Sequence, residues 1–278
     1  MKHLKLAALG VASLFFSLAN AQTQTLPMTP ALTPALKAAL APTGELRAVI
    51  NTGNAVLAGL DEHQQPKGVS VDIARELAKH TGLPLKLVVV NAAAGSVSAL
   101  AKQEVDVGFV AIDPLRGQDL AYTAAYVTIE GAYMVRQDSP LQSNDEVDRA
   151  GTRVVVGKGS AYDLYLSRNI RHATLAYAPT SQAVVDVFLT QNLEVAAGVK
   201  QQLEKDQARL GGLRLLPGRF MAIHQAMATP KTRTPEVVAY LHSFVETLKA
   251  NGFVGEALKR HRIEGVAVAE PQAQPSQP

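Results

Sequence analysis

A short segment of the chain combines a helix-capping residue, a proline and an arginine at a spacing that suits anion binding. The segment Asp113–Arg116 follows the apolar run Val105–Ile112. Aspartate caps helices, proline is favoured at the first helical position, and Arg116 follows within one turn. A guanidinium beside unpaired backbone N–H groups can hold a carboxylate through two hydrogen bonds. The alternative is a surface arginine that pairs with Asp119.

A second segment, Val154–Ser160, joins an apolar run to a helix that we expect to begin at Ala161. Gly157 and Gly159 would allow a tight turn, and Ser160 could cap the helix or donate to an anion. The alternative is an ordinary strand-to-helix turn in which Ser160 is only a cap.

Two further polar turns follow apolar runs. Gly95-Ser96 opens a helix within Asn91–Ser96, where plain capping is the alternative, and Asn51 and Asn54 follow the first strand. In open parallel sheets, ligands bind beyond the carboxyl ends of the strands, where helix N-termini present unpaired N–H groups. We therefore expect these turns to face one crevice.

Motifs for catalysis or metal binding are lacking in the sequence. Gly68–Asp72 fails the G-x-S-x-G pattern at its second glycine, and the Gly157-x-Gly159 pair lacks the third glycine of a dinucleotide fingerprint. With zero cysteines, disulfides and thiol catalysis are impossible. The sequence predicts neither a cofactor nor a metal. We expect surface or interface positions for the dispersed histidines His63, His80, His172, His224, His242 and His261.

The elements that must position these turns alternate between strand and helix, which is typical of an α/β fold with a largely parallel sheet. The first unit is predicted as strand Arg47–Asn51, helix Asp72–His80, strand Leu85–Val90, helix Ser96–Lys102 and strand Val105–Ile112. The second unit is predicted as strand Arg153–Val156, helix Ala161–Arg168, strand Thr174–Tyr177, helix Ser181–Thr190 and strand Val195–Val199.

The order of elements also predicts two lobes joined by a hinge. The chain would return to the first lobe through a strand at Met221–Ala228, followed by helices at Pro235–Ala250 and Phe253–Arg260. The chain would then cross between lobes near Tyr133–Arg136 and near His224–Ala228, and paired crossovers form a hinge beside a cleft.

The ends of the chain have a different character. Lys2 and Lys5 precede the apolar run Leu6–Leu18, and Ala19-Asn-Ala21 forms a small-x-small site, as in a secretory signal cleaved after Ala21. We therefore expect a periplasmic protein. Residues 22–44 would be a tether with one short helix at Pro34–Leu40, residues 45–134 and 226–265 lobe 1, residues 135–225 lobe 2, and residues 266–278 a disordered tail.

The charge gives no reason to expect nucleic acid as a partner. The formal net charge of +3 includes Lys2 and Lys5 of the signal, which leaves +1 for the remaining chain. The chain also has no tryptophan, which argues against a sugar-stacking platform.

Several segments resemble the family 3 periplasmic solute-binding proteins, the polar amino-acid receptors of ABC importers. Lys67–Ala78 is similar to that family's G-F-D-V-D-L-A-x-x-L-A helix entry, and Asp106–Arg116 to its D-V-x-x-x-x-x-T-x-x-R segment. Ala121–Tyr126 stands where the family has F-S-x-P-Y, and Arg153–Ala161 resembles V-G-V-x-x-G-T-T. The resemblance covers roughly Glu45 to Ile263.

The resemblance implies a type II Venus-flytrap fold with two crossover hinge strands. It implies that Arg116 holds a ligand carboxylate, with the backbone N–H of Ala111 and the Gly159–Ala161 turn completing the clamp. It also implies an ABC permease as partner and a monomeric receptor. The expected ligand-binding residues are Asn51, Asn54, Ala111, Asp113, Arg116, Gly159, Ser160 and Ala161.

Three departures from the family pattern concern the ligand. Val199 occupies the position of the lobe 2 acid that usually receives the α-ammonium of the ligand. The aromatic residue that usually covers the ligand is missing from Asn51–Ala58. The segment Asp106–Arg116 is also about two residues shorter than its counterpart in the family. A desolvated ammonium without a partner costs several kcal/mol. We therefore expect the ligand to lack an ammonium group or to pair it with Asp113 or Glu130; the alternative is that a neighbouring acid has replaced the missing one.

Two other functions remain open from the sequence. Some proteins of this fold resemble cyclohexadienyl dehydratases, and such an enzyme would need an acid or base in the cleft, for which Asp113, Glu130 and His63 are the candidates. The third possibility is a sensory protein that binds a ligand without transport.

Overall fold

The structure is a computed structural model that describes residues 31–272. The expected signal and its cleavage site, Met1–Ala21, lie outside the described residues, as does the end of the expected tail from residue 273 onward. In the described part of the chain, none of the helices has the length and apolar character needed to cross a membrane.

Strands and helices alternate along the described chain. The helices are α1 (Pro34–Leu40), α2 (Val69–Thr81), α3 (Ala93–Ala101), α4 (Ala161–Asn169), α5 (Val184–Thr190), α6 (Lys200–Leu210), α7 (Pro235–Ala250) and α8 (Phe253–Arg260). The strands are β1 (Leu46–Asn51), β2 (Gly59–Leu60), β3 (Pro66–Lys67), β4 (Leu85–Val90), β5 (Val107–Ala111), β6 (Leu120–Arg136), β7 (Arg153–Gly157), β8 (Thr174–Ala178), β9 (Val195–Val199), β10 (Leu213–Leu215), β11 (Met221–Pro230) and β12 (Ala267–Val268).

The strands of the main sheet follow the order β4-β1-β5-β11-β6-β9-β7-β8. In the first half β1 pairs in parallel with β4 and β5, and in the second half β7 pairs in parallel with β8 and β9. The two halves meet at β6 and β11, which run antiparallel to each other. The α/β class and the alternation predicted from the sequence are thus confirmed.

The crossovers between the halves lie on β6 and β11. Along β6, pairing with β11 extends from Leu120 to Gly131, and pairing with β9 of the second half begins at Gly131. Two adjacent strands therefore carry the connection, which is the arrangement of a hinge.

Several predicted elements are confirmed at their predicted bounds: the strands Leu85–Val90 and Val195–Val199 and the helices Pro235–Ala250 and Phe253–Arg260. The helix α2 begins three residues earlier than predicted, at Val69. Its residues Ile73 and Leu77 are fully buried, and it ends at Thr81, followed by the capping residue Gly82 with a left-handed φ of 61°.

Both ends of the described chain depart from the expected tether and tail. The predicted helix α1 is present, but it packs against α7 and its Leu40 is fully buried. Beyond α8, Val268 pairs with Val127 of β6, and the Ala269 N–H donates to the Tyr126 carbonyl. Part of the segment expected to be disordered therefore forms a short edge strand beside the crossover.

A buried charge network anchors the first half of the sheet. The Asp106 carboxylate is fully buried and receives hydrogen bonds from the guanidinium of Arg47 at 2.8 Å and that of Arg233 at 2.8 Å. The Arg47 backbone N–H donates to the same carboxylate at 2.9 Å. Asp106 thus ties β1 to the segment between β11 and α7, where Arg233 lies.

We expect Asp106→Ala to lower the free energy of unfolding by about 3–5 kcal/mol, because it leaves two guanidinium groups near the core without their carboxylate. Urea unfolding followed by circular dichroism measures this change. The matched control is Glu256→Ala, which breaks an exposed pair with Lys259 and should cost less than about 1 kcal/mol. Equal losses for the two variants would contradict this account.

Candidate functional site

A cavity of about 50 Å³ lies between the two halves, beyond the carboxyl ends of the parallel strands. Six of the eight residues expected from the sequence line it: Asn51, Asn54, Ala111, Arg116, Ser160 and Ala161. The other lining residues are Gly53, Ala55, Ala93, Val110, Tyr162, Ser181, Gly198, Val199, Gln202, Leu203, Ile223 and Gln225. Asp113 and Gly159 lie beside the cavity without lining it.

Arg116 occupies the centre of the site. The chain turns after β5 because Asp113 accepts a hydrogen bond from the Leu115 N–H at 2.9 Å, and Arg116 follows in a single 3₁₀ turn. The prediction of Asp113 as N-cap and Pro114 as first helical residue is therefore wrong: Asp113 closes the turn ahead of the helix, Leu115 is the N-cap, and the helix is only three residues long. The Arg116 side chain points inward and is 5% exposed, so the surface pairing with Asp119 does not occur.

The Arg116 guanidinium contacts both lobes. It donates to the carbonyl oxygen of Ala111 at 3.1 Å and to that of Gly159 at 2.9 Å. Within residues 31–272 it forms no ion pair with a carboxylate. Burial lowers the pKa of Arg116 below its ordinary value, and the fields of Tyr122 and Asp113 oppose that effect. The group is therefore a buried cation held by two neutral oxygens, which favours binding of an anion.

The glycine turn before α4 differs from its expected role. The Gly159 N–H donates to the Asp163 carboxylate at 2.7 Å and the Ser160 N–H to the Gly157 carbonyl at 3.0 Å, so neither is available to a ligand. The Ser160 hydroxyl caps α4 by accepting from the Asp163 N–H at 3.0 Å. Only the Ala161 N–H of this turn keeps no partner among the described residues.

Ala111 also has a different role from the expected one. Its carbonyl oxygen, and not its N–H, faces the guanidinium of Arg116.

The two asparagines after β1 differ in their partners. The Asn51 side-chain oxygen accepts a hydrogen bond from the Gly53 N–H at 2.9 Å and shapes the turn. The side-chain oxygen of Asn54 is buried without a partner among residues 31–272.

Direct contacts between described residues hold the lobes together, and besides the hydrogen bond from Gln201 of α6 to the Gly265 carbonyl at 2.8 Å, several lie around the cavity. Arg116 donates to Gly159, Arg168 of α4 pairs with Asp113 at 2.7 Å, and the Gln182 amide donates to the Thr52 carbonyl at 3.1 Å. The two lobes are therefore in direct contact around the cavity, which is the arrangement of a closed form.

Comparison with known proteins gives the family. The model of the bacterial extracellular solute-binding proteins, family 3, matches residues 46–262, which is most of the chain. The chain belongs to that family. A search of curated proteins gave no match.

Solved structures of low sequence identity share the two-lobed fold. The solute receptor for L-cysteine of Neisseria gonorrhoeae is 17% identical with a TM-score of 0.73, and the match covers 84% of this chain and 99% of the receptor. A putative ABC-transporter binding component from Wolinella succinogenes, complexed with lysine, is 22% identical with a TM-score of 0.68. This match covers 78% of the present chain and 95% of the Wolinella protein. An ancestral amino acid-binding protein described as a precursor of cyclohexadienyl dehydratase is 16% identical with a TM-score of 0.68. This match covers 81% of the present chain and 97% of the ancestral protein.

The resemblance predicts an acidic partner for a ligand ammonium at the position of Val199, which lines the cavity. None of the cavity-lining residues in the described chain is Asp or Glu. Asp113 pairs with Arg168. Glu130 lies near the hinge between Lys200 at 3.2 Å and Arg219 at 3.1 Å, and although partial burial raises its pKa, the two cations together hold it below its ordinary value.

The third acid–base candidate, His63, also lies away from the cavity. It is exposed in the turn between β2 and β3, next to Glu62. Of the three acid–base candidates, Asp113 and Glu130 are therefore engaged in ion pairs and His63 is remote from the cavity. No group of three or more His, Asp or Glu side chains within residues 31–272 is arranged to bind a metal.

Several lining residues are not predictable from strand-end reasoning. Tyr162 and Gln202 lie in the first turns of α4 and α6, and Gln225 lies within β11. Ser181 could have been found, because it follows β8 in the same way that Arg116 follows β5.

We expect Arg116→Lys to weaken carboxylate binding nearly as much as Arg116→Ala, because a single ammonium cannot reproduce the planar fork. Loss of the charge-assisted bonds should cost about 1.5–3 kcal/mol, or roughly tenfold to 150-fold in Kd. Calorimetry with short carboxylic acids measures both variants. The exposed Arg75→Ala is the control and should bind like the wild type; unchanged affinity in both Arg116 variants would remove this residue from the site.

Proposed function

We propose that this protein is a periplasmic receptor that captures a small carboxylate-bearing solute between its lobes and delivers it to an ABC importer in the inner membrane. The observation that carries the proposal is the buried Arg116 guanidinium, which lies in the cleft without an ion pair in the described chain. We also propose that the receptor acts as a monomer after cleavage of its signal.

The proposed mechanism is closure of the cleft on the ligand. A carboxylate on Arg116 would offset the cost of burying its charge, and this benefit is complete only when both lobes exclude water from the site. A ligand that contacts both lobes shifts the population toward the closed form. The direct contacts Arg168–Asp113 and Gln182–Thr52 would then hold that form.

We propose that the ligand carries no ammonium group. Val199 is the residue that faces the cavity where the family has an acid, and the lining residues of the described chain include no carboxylate. An ammonium enclosed there would lose its hydration without gaining a counter-charge, at a cost of several kcal/mol. That penalty is comparable with the whole binding free energy of a weak ligand.

The cavity also favours a short ligand. Its volume of about 50 Å³ accommodates only a few water-sized groups, since one water needs about 10–15 Å³. Val110, Val199 and Leu203 supply an apolar wall, and Asn51, Asn54 and Ser181 supply neutral hydrogen-bonding groups. A carboxylic acid with a carbon skeleton of a few atoms suits this lining.

The substitution Val199→Asp tests the proposed ligand class. Val199 is the N-cap of α6 and makes no side-chain capping bond, so an aspartate there should cap the helix and supply the missing carboxylate. We expect the wild type to bind propanoate and butanoate at least tenfold tighter than alanine and 2-aminobutanoate, and Val199→Asp to reverse that order. Calorimetry on the four ligands measures both.

The matched control is Val199→Asn, which caps the helix without adding charge and should keep the preference of the wild type. Tight binding of the amino acids by the wild type, with no binding of their deaminated analogues, would contradict the proposed ligand class.

The proposed location rests on the charged start, the apolar run and the small-x-small site at Ala19–Ala21. We expect the exported protein to begin at Gln22. N-terminal sequencing of the protein released from the periplasm decides this. A membrane-bound form that retains Met1 would be the contradictory result.

A further inference from the structure

A glutamine on the cavity wall keeps its side-chain amide without a partner. Gln225 of β11 lines the cavity and is 6% exposed. Within residues 31–272, its side-chain amide forms no hydrogen bond. Buried polar groups almost always have partners, so a buried amide of this kind in a cavity calls for an explanation.

The alternation of side chains along β11 directs Gln225 into the cavity. Successive side chains of a strand point to opposite faces of the sheet. Ile223, two residues before Gln225, also lines the cavity. His224 between them is exposed, and its ring contacts the Thr128 hydroxyl at 3.1 Å. The direction of the Gln225 side chain therefore follows from the backbone of the sheet.

Gln225 lies beside the residue that holds Arg116. In the ladder between β11 and β5, Gln225 is directly opposite Ala111. The Ile112 N–H donates to the His224 carbonyl at 2.9 Å, so the neighbouring pair Gln225–Ala111 is of the non-hydrogen-bonded kind. The Cα atoms of such a pair are about 4.5 Å apart, with their side chains close together. Since the Ala111 carbonyl accepts from Arg116 at 3.1 Å, one small solute can contact both the guanidinium and the amide.

The amide of Gln225 has two requirements in one plane. Its oxygen needs a donor, and its NH2 group needs an acceptor. A ketone or a second carboxylate only accepts and leaves the oxygen unpaired, and a hydroxyl presents a single atom that faces one of the two groups at a time. A carbamoyl group pairs with both, because its own oxygen and NH2 group lie head to tail with those of glutamine. It is also neutral, as the remaining lining is.

We propose that Gln225 is a specificity-determining residue that binds a carbamoyl group, so that the solute is the half-amide of a short dicarboxylic acid with its carboxylate on Arg116. This inference rests on the proposed function and names the ligand class of the same site. Because β11 is one of the two crossover strands, a ligand bound to Gln225 also contacts the hinge.

The test compares acids of equal size that differ only in the group offered to Gln225. Succinamate is compared with 4-oxopentanoate, and malonamate with 3-oxobutanoate; in each pair a methyl group replaces the NH2 group. We expect the better half-amide to bind the wild type at least tenfold tighter than its ketone partner, because the ketone leaves the Gln225 oxygen buried and unpaired. Calorimetry measures all four affinities.

The variant Gln225→Met removes the amide and keeps a side chain of similar length. It should reduce the ratio of the two affinities by at least threefold, the loss of one hydrogen bond, and it should weaken succinamate more than butanoate, which offers nothing to the amide. The matched control is Gln65→Met in the exposed turn between β2 and β3, which should keep the ratio of the wild type.

The stability of the ligand-free protein gives a second readout. Removal of a buried amide without a partner should leave the melting temperature of Gln225→Met equal to that of the wild type or above it. A purely structural role of Gln225 would instead lower the melting temperature.

Three results would overturn the inference. They are equal affinities of the wild type for half-amides and their ketone partners, an equal loss of affinity for succinamate and butanoate in Gln225→Met, and a large fall in the melting temperature of that variant without ligand. The first comparison needs no variant. If butanoate binds through Arg116 and half-amides are not preferred, only this inference fails. If none of the acids binds the wild type, the proposed function fails with it.

Discussion

The Arg116 guanidinium is a charge that two lobes together keep out of water. Its position depends on the end of β5, which supplies the Ala111 carbonyl, and on the turn before α4, which supplies the Gly159 carbonyl. Desolvation of a cation is expensive, and two neutral oxygens offset only part of that cost. We therefore propose that an anion bound at this point stabilises the closed arrangement of the lobes.

The acidic groups of the chain close to this charge already have partners. Asp113 is paired with Arg168, and Asp163 accepts from the Gly159 N–H. Further along, Glu130 is held near the hinge by Lys200 and Arg219. Each of these interactions stabilises the frame around the cleft and leaves the cavity itself without negative charge. Because the remaining lining is apolar or neutral, we propose that the site selects a single negative charge on a small, otherwise neutral molecule.

Much of the frame could be predicted because runs of apolar, β-branched residues and helical periodicity mark strands and helices in the sequence. The apolar runs Leu85–Val90 and Val195–Val199 form strands at their predicted bounds, and Pro235–Ala250 combines a proline start with helical periodicity. The strand β6 lacks such a signature, since its 17 residues pass from one half of the sheet to the other and exchange neighbours at Gly131. The helix α6 was missed because its sequence KQQLEKDQARL has few apolar residues to mark a buried face.

The site was predictable to the extent that it follows from strand ends. Asn51 ends β1, and Arg116 and Ala161 lie just beyond the carboxyl ends of β5 and β7, so the rule for parallel sheets locates them. The rule does not say which backbone groups face the ligand. The Gly159 N–H, for example, donates to the Asp163 carboxylate and is not available to a ligand. The rule also does not predict Tyr162, because its place on the cavity wall depends on the rotation of α4 about its axis. The strand β12 was not predictable either, because its two residues form a strand only by pairing with β6.

A crystal structure of the wild-type protein with the short carboxylic acid that binds it most tightly tests the central claim most directly. The account predicts a closed cleft in which a carboxylate oxygen of the acid lies within hydrogen-bonding distance of the Arg116 guanidinium, with no protein carboxylate in contact with the ligand. An acid bound elsewhere, or in the cleft with its carboxylate away from Arg116, would contradict it.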